Sequence, residues 1–474
     1  MNMHTNLLAL ATSLALVATG GVALAGPTAK LPSQLPPLAA DKALPVPQIA
    51  QKTLANGLEV WVVPRKGLPR VDYVLAVRNA GFAADAADAS GFASLYAQLL
   101  TQGTPKRDAK AIAEAAQGYG GTLAANALND GVILSGYALP TQSEAMLRLL
   151  AEVAQQANFP DAEVKLAQAN ALQELKVSQA QPGFKATRAL LAATYGDHPY
   201  GHTQPTEAAI NAVSADKVRA EHARRFRPER ALLIVTGRIS AEEGFKYAEA
   251  AFGGWKGSGE PIADTAPARR EAKPQRLFVQ RDGSVQSAVR LGRPAIAATD
   301  ADYIPAQLAG IVLGGGFSSR LMQNLREDKG YTYGARGGLN ALRAGGIVQA
   351  SADVRNEVTG AAIGEFIYEF GKLNDYPVPA QELEDTKRYV AGGYLIGNQM
   401  QASVAASLAS NWLYGLPPQF LGEYVPKVCA VSADQVQAAA KKYYATKDQS
   451  IIVVGDYKAV QSQLKEYGEF KLEK

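Results

Sequence analysis

An internal repeat constrains the fold of this chain more than any other feature of its 474 residues. The segment VSADKVRAEHARRFRPERALLIVTG, residues 213–237, returns as VSADQVQAAAKKYYATKDQSIIVVG at residues 431–455. The offset is 218 without a gap, and nine of 25 positions are identical. Self-similarity of this kind is the sequence signature of a repeated structural unit. We therefore expect two homologous halves.

Each copy of the repeat predicts a helix followed by a buried strand. Ser214 and Ser432 are suitable N-cap residues. Asp216 and Asp434 follow in the first turn, where acidic side chains interact favourably with the helix dipole. The β-rich runs ALLIVTG and SIIVVG then end in glycine, which predicts that each half closes with a strand.

Composition indicates where the halves meet. Residues 256–276 are rich in Gly, Pro and charge, which predicts a linker between an N-terminal domain, 49–255, and a C-terminal domain, 277–474. Strand-like runs open each half, and long helical patterns follow without strict alternation. The expected fold class is α+β: two homologous halves, each a mainly antiparallel sheet with helices packed on it, forming a clam-like chamber.

The N-terminus predicts export. Residues 7–25 are apolar or small throughout and end in Ala-Leu-Ala, a signal-peptidase pattern. Residues 1–25 are therefore a predicted signal peptide, and residues 26–48 form a Pro-rich leader segment. We expect an exported, periplasmic protein. An uncleaved leader acting as a membrane anchor is the alternative, because its 19 apolar residues nearly span a bilayer.

Charge and cysteine content exclude several function classes. The net charge is +4, from 48 basic and 44 acidic residues with no long Lys/Arg run. This leaves no nucleic-acid footprint and no basic membrane patch. The single cysteine, Cys429, excludes internal disulfides, cysteine zinc knuckles and iron–sulfur clusters.

The segment GFASLYAQLLTQGT, residues 91–104, predicts an amphipathic helix of the kind that carries a metal site. Its apolar residues recur at helical spacing: Phe92, Leu95, Tyr96, Leu99 and Leu100. Ser94 and Gln98 are four residues apart and share another face. Catalytic zinc takes about three His, Cys or carboxylate ligands plus water. Serine and glutamine are poor ligands, and Ala97 cannot activate a water.

This helix resembles the zinc-site helix of the insulinase/pitrilysin family, inverted zincins that carry H-x-x-E-H. Ser94 and Gln98 stand where the family has its two histidines, and Ala97 stands where it has the catalytic glutamate. Glu174 resembles the third ligand, a glutamate about 76 residues further on, although a solvated helix residue is as good an interpretation. The resemblance, which covers nearly all of residues 49–474, thus implies a degenerate zinc site without metal or catalytic residues.

Two other segments offer weaker candidates. His198 and His202 in HPYGH are four residues apart, but Pro199 and Gly201 favour a loop, and HPYG resembles a family loop that binds no zinc. The Gly-rich run LGGGFSSRL, residues 313–321, lacks the lysine of a phosphate-binding loop.

The segment GGGFSSRLMQNLREDKGYTYGA, residues 314–335, resembles the part of the family that binds substrate. Arg326 and Tyr333 match the Arg/Tyr pair that grips the peptide backbone, since their donors suit carbonyl oxygens and a developing oxyanion. Three residues match a glycine-rich loop that engages substrate: Gly314, Gly315 and Gly316. Gly330 is the predicted end of the intervening helix, and YTYGA the next strand.

The resemblance implies a non-catalytic, substrate-binding subunit that supplies Arg and Tyr to a homologous partner. That partner would carry the zinc and cleave unfolded peptides, and this chain would hold no cofactor of its own. Two alternatives stay open. One is an active zinc metalloendopeptidase with unusual ligands, and the other is a stand-alone peptide-binding or scaffold protein.

Overall fold

The computed structural model describes residues 47–473. The predicted signal peptide, and all of the leader segment except its last two residues, lie outside the described residues. Within the described range, no helix combines the length and the apolar character needed to cross a membrane.

Strands and helices are distributed along the whole described chain. The strands are β1 (Ala50–Thr53), β2 (Glu59–Pro64), β3 (Val71–Arg78), β4 (Thr122–Ala127), β5 (Gly131–Ala138), β6 (Ala231–Gly237), β7 (Arg276–Gln280), β8 (Gln286–Ala295), β9 (Ala335–Ala341), β10 (Gly346–Arg355), β11 (Ser450–Gly455) and β12 (Lys471–Glu473). The helices are α1 (Phe92–Leu99), α2 (Ala109–Gly118), α3 (Ser143–Gln156), α4 (Asp161–Gln179), α5 (Pro182–Tyr195), α6 (Glu207–Asn211), α7 (Ala215–Arg225), α8 (Ala241–Phe252), α9 (Tyr303–Gly314), α10 (Thr359–Asp375), α11 (Ala380–Gly397), α12 (Gln401–Leu413), α13 (Phe420–Ala430), α14 (Ala433–Tyr443) and α15 (Tyr457–Leu464). A π-helical segment spans Met322–Asp328.

The strands form two six-stranded sheets with the orders β1-β2-β6-β3-β5-β4 and β12-β7-β11-β8-β10-β9. Most neighbouring strands are antiparallel; the β2–β6, β7–β11 and β7–β12 pairs are parallel. In the first sheet Leu75 of β3 lies opposite Leu134 of β5 and Leu233 of β6. The α+β prediction with two sheet-and-helix halves is confirmed.

The internal repeat occupies equivalent positions in the two sheets. Ser214 and Ser432 cap α7 and α14 by accepting hydrogen bonds from backbone N–H groups in the first turn, as predicted. The strands that follow, β6 and β11, lie inside their sheets and are buried along their whole length. Burial on both faces explains why these strands are continuous β-branched and leucine runs without polar alternation.

The two halves exchange helices. Leu190 of α5, from the first half, packs among residues of the second sheet such as Ile452. Leu408 of α12, from the second half, packs against Val74 and Ile234 of the first sheet. One face of each sheet is thus covered by a helix from the other half, so the two cores stabilise each other.

The exchange depends on a break in one long helical pattern. The sequence from Pro379 to Gly415 carries an almost continuous helical pattern, but the structure ends α11 at Gly397 and restarts at Gln401. Met400 between them is extended, with φ −79° and ψ 136°. This turn directs α12 away from its own half and onto the first sheet.

A buried polar network also joins the halves. The hydroxyl of Tyr200 donates to Asp130, and it accepts a hydrogen bond from the backbone N–H of Ala344 at 3.0 Å. Asp130 accepts a second bond from the N–H of Arg343 at 3.2 Å. Burial raises the pKa of the Asp130 carboxyl, which hydrogen bonds partly offset. The described parts of both halves belong to one compact unit.

Candidate functional site

Helix α1 forms where the amphipathic pattern predicts it, and its apolar stripe is buried. Its polar face is open: Ser94 is half-buried and Gln98 is exposed, whereas Ala97 between them is only 1% exposed. The helix packs against α4 and against β4, the edge strand of the first sheet. Of the three positions predicted from the zinc motif, Ser94 and Gln98 therefore reach the surface of the first half, whereas Ala97 is buried beneath them.

Buried charges anchor the start of α1. Asp85 accepts a hydrogen bond from the N–H of Ala93, in the first turn, at 3.0 Å. Its other oxygen lies 3.0 Å from the guanidinium of Arg225 on α7, and both side chains are 2% exposed. Arg225 also donates to Glu221 at 2.9 Å. Burial raises the pKa of Asp85 to about 6, although Arg225 acts in the opposite direction. This pairing sets the position of α1 on the first sheet.

An aromatic cluster holds the other side of α1. The hydroxyl of Tyr96 lies 2.8 Å from Nδ1 of His222 on α7, and the rings of Phe159 and Phe226 pack around the pair. Burial lowers the pKa of His222 to about 4, so the imidazole is neutral near neutral pH. His222 therefore serves the packing of α1 and does not reach its exposed face.

The exposed face of α1 offers little to a zinc ion. Ser94 and Gln98 supply a hydroxyl and an amide, and Glu174 is exposed on the neighbouring helix α4. Across residues 47–473, no group of three or more His, Cys, Asp or Glu side chains is arranged to hold a metal. Whether Glu174 is a relic ligand stays a prediction.

The histidines of HPYGH are placed in a loop, as the Pro and Gly residues predicted. Nδ1 of His198 accepts from the N–H of Tyr200 at 3.2 Å, so Nε2 carries the proton and donates to the carbonyl of Ala266 at 2.9 Å. His202 is exposed. Nε2 of His198 thus ties this loop to the segment between the halves, and Nδ1 stabilises the turn of the loop itself.

The three consecutive glycines of the second half, residues 314–316, contribute to helix packing and helix termination. Gly314 ends α9, and a Cβ there would lie 2.2 Å from the backbone nitrogen of Gly337 on β9. Only glycine permits this approach of helix and strand. Gly315 caps the helix, and Gly316 faces the ring of Tyr389 on α11. A cleft of about 470 Å³ lies between this loop and α11.

Arg326 and Tyr333 both lie at the surface, but no hydrogen bond joins them among the described contacts. Arg326 lies on the π-helical segment, 36% exposed, with its guanidinium carbon 4.6 Å from the centre of the Phe317 ring. Tyr333 is 93% exposed. Gly330, with φ +62°, ends the helical segment as predicted.

The strand predicted for YTYGA begins later than expected, at Ala335. The hydroxyl of Thr332 accepts from the N–H of Gly334 at 3.1 Å and donates to the carbonyl of Asp353 at 2.8 Å. These bonds form a local turn that competes with strand pairing. Tyr333 at its tip is left in the solvent instead of in the sheet.

Two edge strands are features that the sequence interpretation missed. β4 and β9 end the two sheets at equivalent positions, β4 beside α1 and β9 directly after Tyr333. No residue of β4 is fully buried. A free strand edge presents backbone N–H and C=O groups to which an extended peptide can pair. The sequence of β4, TLAANA, consists mostly of small residues that leave the strand edge uncovered, and this composition could have indicated an edge strand.

Known proteins resemble this chain along most of its length. Residues 71–205 match the family described as insulinase (peptidase family M16), and residues 212–390 match the peptidase M16 inactive domain. A zinc protease of Mycobacterium leprae is 25% identical over 433 residues, 86% of this chain and 92% of that protein. A non-peptidase homologue of Helicobacter pylori is 21% identical over 393 residues, 81% and 88% of the two chains.

Solved structures show the same fold. A peptidase M16 inactive domain from Pseudomonas fluorescens superimposes with a TM-score of 0.79 at 26% identity, over 86% of this chain and 98% of that one. A protease from Helicobacter pylori has a TM-score of 0.79 at 18% identity, over 86% of this chain and 100% of that one.

Proposed function

This chain belongs to the insulinase (peptidase M16) family as an inactive, peptidase-like member, and we propose that it is the substrate-binding subunit of a two-chain peptidase. A homologous partner with an intact H-x-x-E-H motif holds the zinc and cleaves the peptide. This chain supplies Arg326 and Tyr333 to the joint site.

The exposure of Tyr333 carries the proposal. A Tyr side chain buries a large apolar ring when it packs within its own chain, and such burial stabilises a protein by about 1.5–3 kcal/mol. Tyr333 forgoes this, because 93% of it is exposed. Its hydroxyl and the partly exposed guanidinium of Arg326 are hydrogen-bond donors at the surface, which suits a peptide carbonyl and an oxyanion held by another chain.

The loss of the motif on α1 supports the same division of labour. Ser94, Ala97 and Gln98 leave no zinc ligands and no general base where the family has them. The helix itself is kept in place by the buried Asp85–Arg225 pair. The first half therefore keeps the helix of the family's zinc site but lacks the zinc ligands and the general base. This is expected for a chain whose partner performs the cleavage.

The exchanged helices favour a chamber built from two chains. α5 and α12 bury each half against the other, so the two halves of one chain cannot separate to admit a peptide without exposing core residues. A second chain facing this one would provide the opposite wall. Within such a chamber the free edge of β4 would align an unfolded peptide by backbone hydrogen bonds.

Co-purification from the periplasmic fraction of the native source tests this function, and the predicted leader motivates the choice of fraction. We expect a second, homologous chain that carries H-x-x-E-H and about one zinc, with no zinc bound to this chain. A solitary, zinc-free chain would favour the scaffold alternative. Tightly bound zinc on this chain alone would favour an independent peptidase.

A further inference from the structure

A polar cavity of about 480 Å³ lies between the π-helical segment and α10, on the surface of the second half. Its floor is formed by Asn324 and Glu369, whose residues are 7% and 4% exposed. Glu365, one helical turn before Glu369, completes the floor. Neither the peptide-gripping role of Arg326 nor the degenerate zinc site explains why these polar groups are buried here.

The hydrogen bonds within the floor determine which polar atoms remain without a hydrogen-bond partner. The amide nitrogen of Asn324 donates to Glu365 Oε2 and Glu369 Oε1, each at 2.9 Å. Because both acceptors are carboxylates, the amide orientation is defined, and its oxygen is the atom without a donor. Among the described residues, Asn324 Oδ1 and Glu369 Oε2 are buried and have no hydrogen-bond partner. Both atoms are acceptors, so what is missing is a positive charge or a donor.

The surrounding charge points the same way. Three carboxylates line the cavity, those of Asp328, Glu365 and Glu369, against two ammonium groups, Lys329 and Lys372. Lys329 lies 3.3 Å from Glu365 and is 43% exposed, so it engages the outer carboxylate and leaves Glu369 uncompensated. A buried carboxylate oxygen without a partner is strongly unfavourable.

We propose that this cavity binds a hard divalent cation of the calcium type through Glu369 Oε2, Asn324 Oδ1 and the carboxylate of Glu365. Carboxylate and amide oxygens are the ligands that Ca²⁺ prefers, and it tolerates irregular geometry with water in the remaining positions. Two carboxylates and one amide do not make a zinc set. The π-helical turn that carries Asn324 is a rare conformation that is frequent at functional sites. The site involves no peptide and no partner chain, so it stands independently of the proposed function.

Terbium luminescence on the full chain tests the site. Tb³⁺ replaces Ca²⁺, and Tyr368, which lines the cavity, can sensitise its emission. We expect saturable emission that Ca²⁺ competes away. Glu369→Gln should weaken binding at least about tenfold, since even outer partners of a bound metal have effects of that size. Asp375→Asn, an exposed acid at the end of the same helix, is the matched control and should bind normally.

Four results would overturn the proposal. Emission that persists in Glu369→Gln, or that falls equally in Asp375→Asn, would mean adventitious surface binding. A neutral carboxylic acid band for Glu369 at neutral pH, seen by infrared spectroscopy in the presence of Ca²⁺, would mean that a proton bridges Glu369 and Asn324 instead. If Glu369→Gln does not fold, Asn324→Asp replaces it: a third carboxylate should tighten Tb³⁺ binding, and unchanged or weaker binding would contradict the site.

Discussion

Arg326 and Tyr333 show how differently two members of a predicted pair can be placed. The guanidinium of Arg326 lies over the Phe317 ring, a contact that orders a long side chain at the surface. Among residues 47–473, Tyr333 has no such recorded contact, and its backbone lies in the turn around Thr332. The side chain of Arg326 is thus ordered by a contact within its own chain, whereas the side chain of Tyr333 is left in the solvent.

Replacement of Tyr333 by Phe should leave the chain folded and impair turnover by the reconstituted pair. The change removes one hydroxyl from a residue that is 93% exposed, so stability should not change measurably. Loss of one donor to a developing oxyanion costs about 3 kcal/mol, on the order of a hundredfold in rate. Peptide hydrolysis at saturating partner concentration measures the effect. Tyr376→Phe, another exposed tyrosine, is the control, and wild-type turnover by Tyr333→Phe would contradict a substrate-gripping role.

Histidines introduced at Ser94 and Gln98 should create zinc binding. Both positions accept larger side chains, because Ser94 is half-buried and Gln98 exposed, and Glu174 lies on the adjacent helix. The double variant should bind about one zinc per chain, measured by elemental analysis after dialysis, while the wild-type chain binds none. Adding Glu174→Gln should weaken binding at least about tenfold. Equal zinc affinity with and without Glu174 would show that this carboxylate is not a relic ligand.

At the scale of elements, the close contact of α9 with β9 fixes where the predicted substrate-binding segment begins and ends. Glycine faces glycine where Gly314 meets Gly337, so helix and strand backbones touch. The π-helical segment with Arg326 and the loop with Tyr333 both continue from these two elements. A shift of α9 would therefore move both residues of the pair.

Gly314→Ala should destabilise the second half by about 1–3 kcal/mol, the usual cost of overpacking. The new Cβ would lie 2.2 Å from a backbone nitrogen that cannot move independently of its strand. Gly371→Ala in α10 is the matched control, because no atom of the described residues lies within 4 Å of its Cβ position. That control should gain up to about 1 kcal/mol through helix propensity. Urea unfolding measures both, and equal stability of the two variants would refute the packing role.

The contact between α1 and α7 predicts an acid-sensitive element. His222 has a pKa near 4 in the folded chain against 6.5 when unfolded, so the unfolded state binds more protons between these values. Stability from this residue is complete above pH 6.5 and is lost as pH falls towards 4, by about 3 kcal/mol. Asp85, with its raised pKa, acts in the opposite direction in the same range. The difference between wild type and His222→Gln isolates the histidine, and parallel pH–stability curves would contradict its assignment.

At the scale of the whole molecule, the exchanged helices join the two halves into one compact unit. Trp412 of α12 shows the interlocking: its ring lies 3.5 Å from the guanidinium carbon of Arg78, and its indole N–H donates to Glu59 at 3.0 Å. Both partners belong to the first half, although Trp412 follows them by more than 300 residues along the chain. Each sheet is thus covered in part by a helix of the other half.

The chain should therefore unfold in a single calorimetric transition. Trp412→Ala should lower the free energy of unfolding by about 3–5 kcal/mol, the usual cost of truncating a buried aromatic residue. The variant should still unfold in one transition, because the unfolding of either half removes a helix that covers the sheet of the other half. Two separate transitions in the wild-type chain would show that the halves are energetically independent despite the exchange.

Local patterns were sufficient for several elements of this fold. The repeat located α7 and β6, and α14 and β11, because caps, helical periodicity and β-branched runs act over a few residues. The same holds for α1, whose polar face was identified from the spacing of Ser94 and Gln98. The family frame then located Arg326 and Tyr333 along the chain, but their roles stay predictions.

Tertiary structure decided what those patterns leave open. An amphipathic pattern indicates that one face of a helix is buried, but it does not indicate which surface covers that face. The exchange of α5 and α12 therefore could not be inferred from the sequence of either half. Tyr333 lies in the solvent because Thr332 bonds to Asp353, a residue 21 positions away. Asn324 and Glu369 are 45 positions apart and look like ordinary surface residues in the sequence. Their shared burial, and the two oxygens it leaves without donors, arise only when α10 packs against the π-helical segment, because desolvation depends on the neighbours that folding brings together.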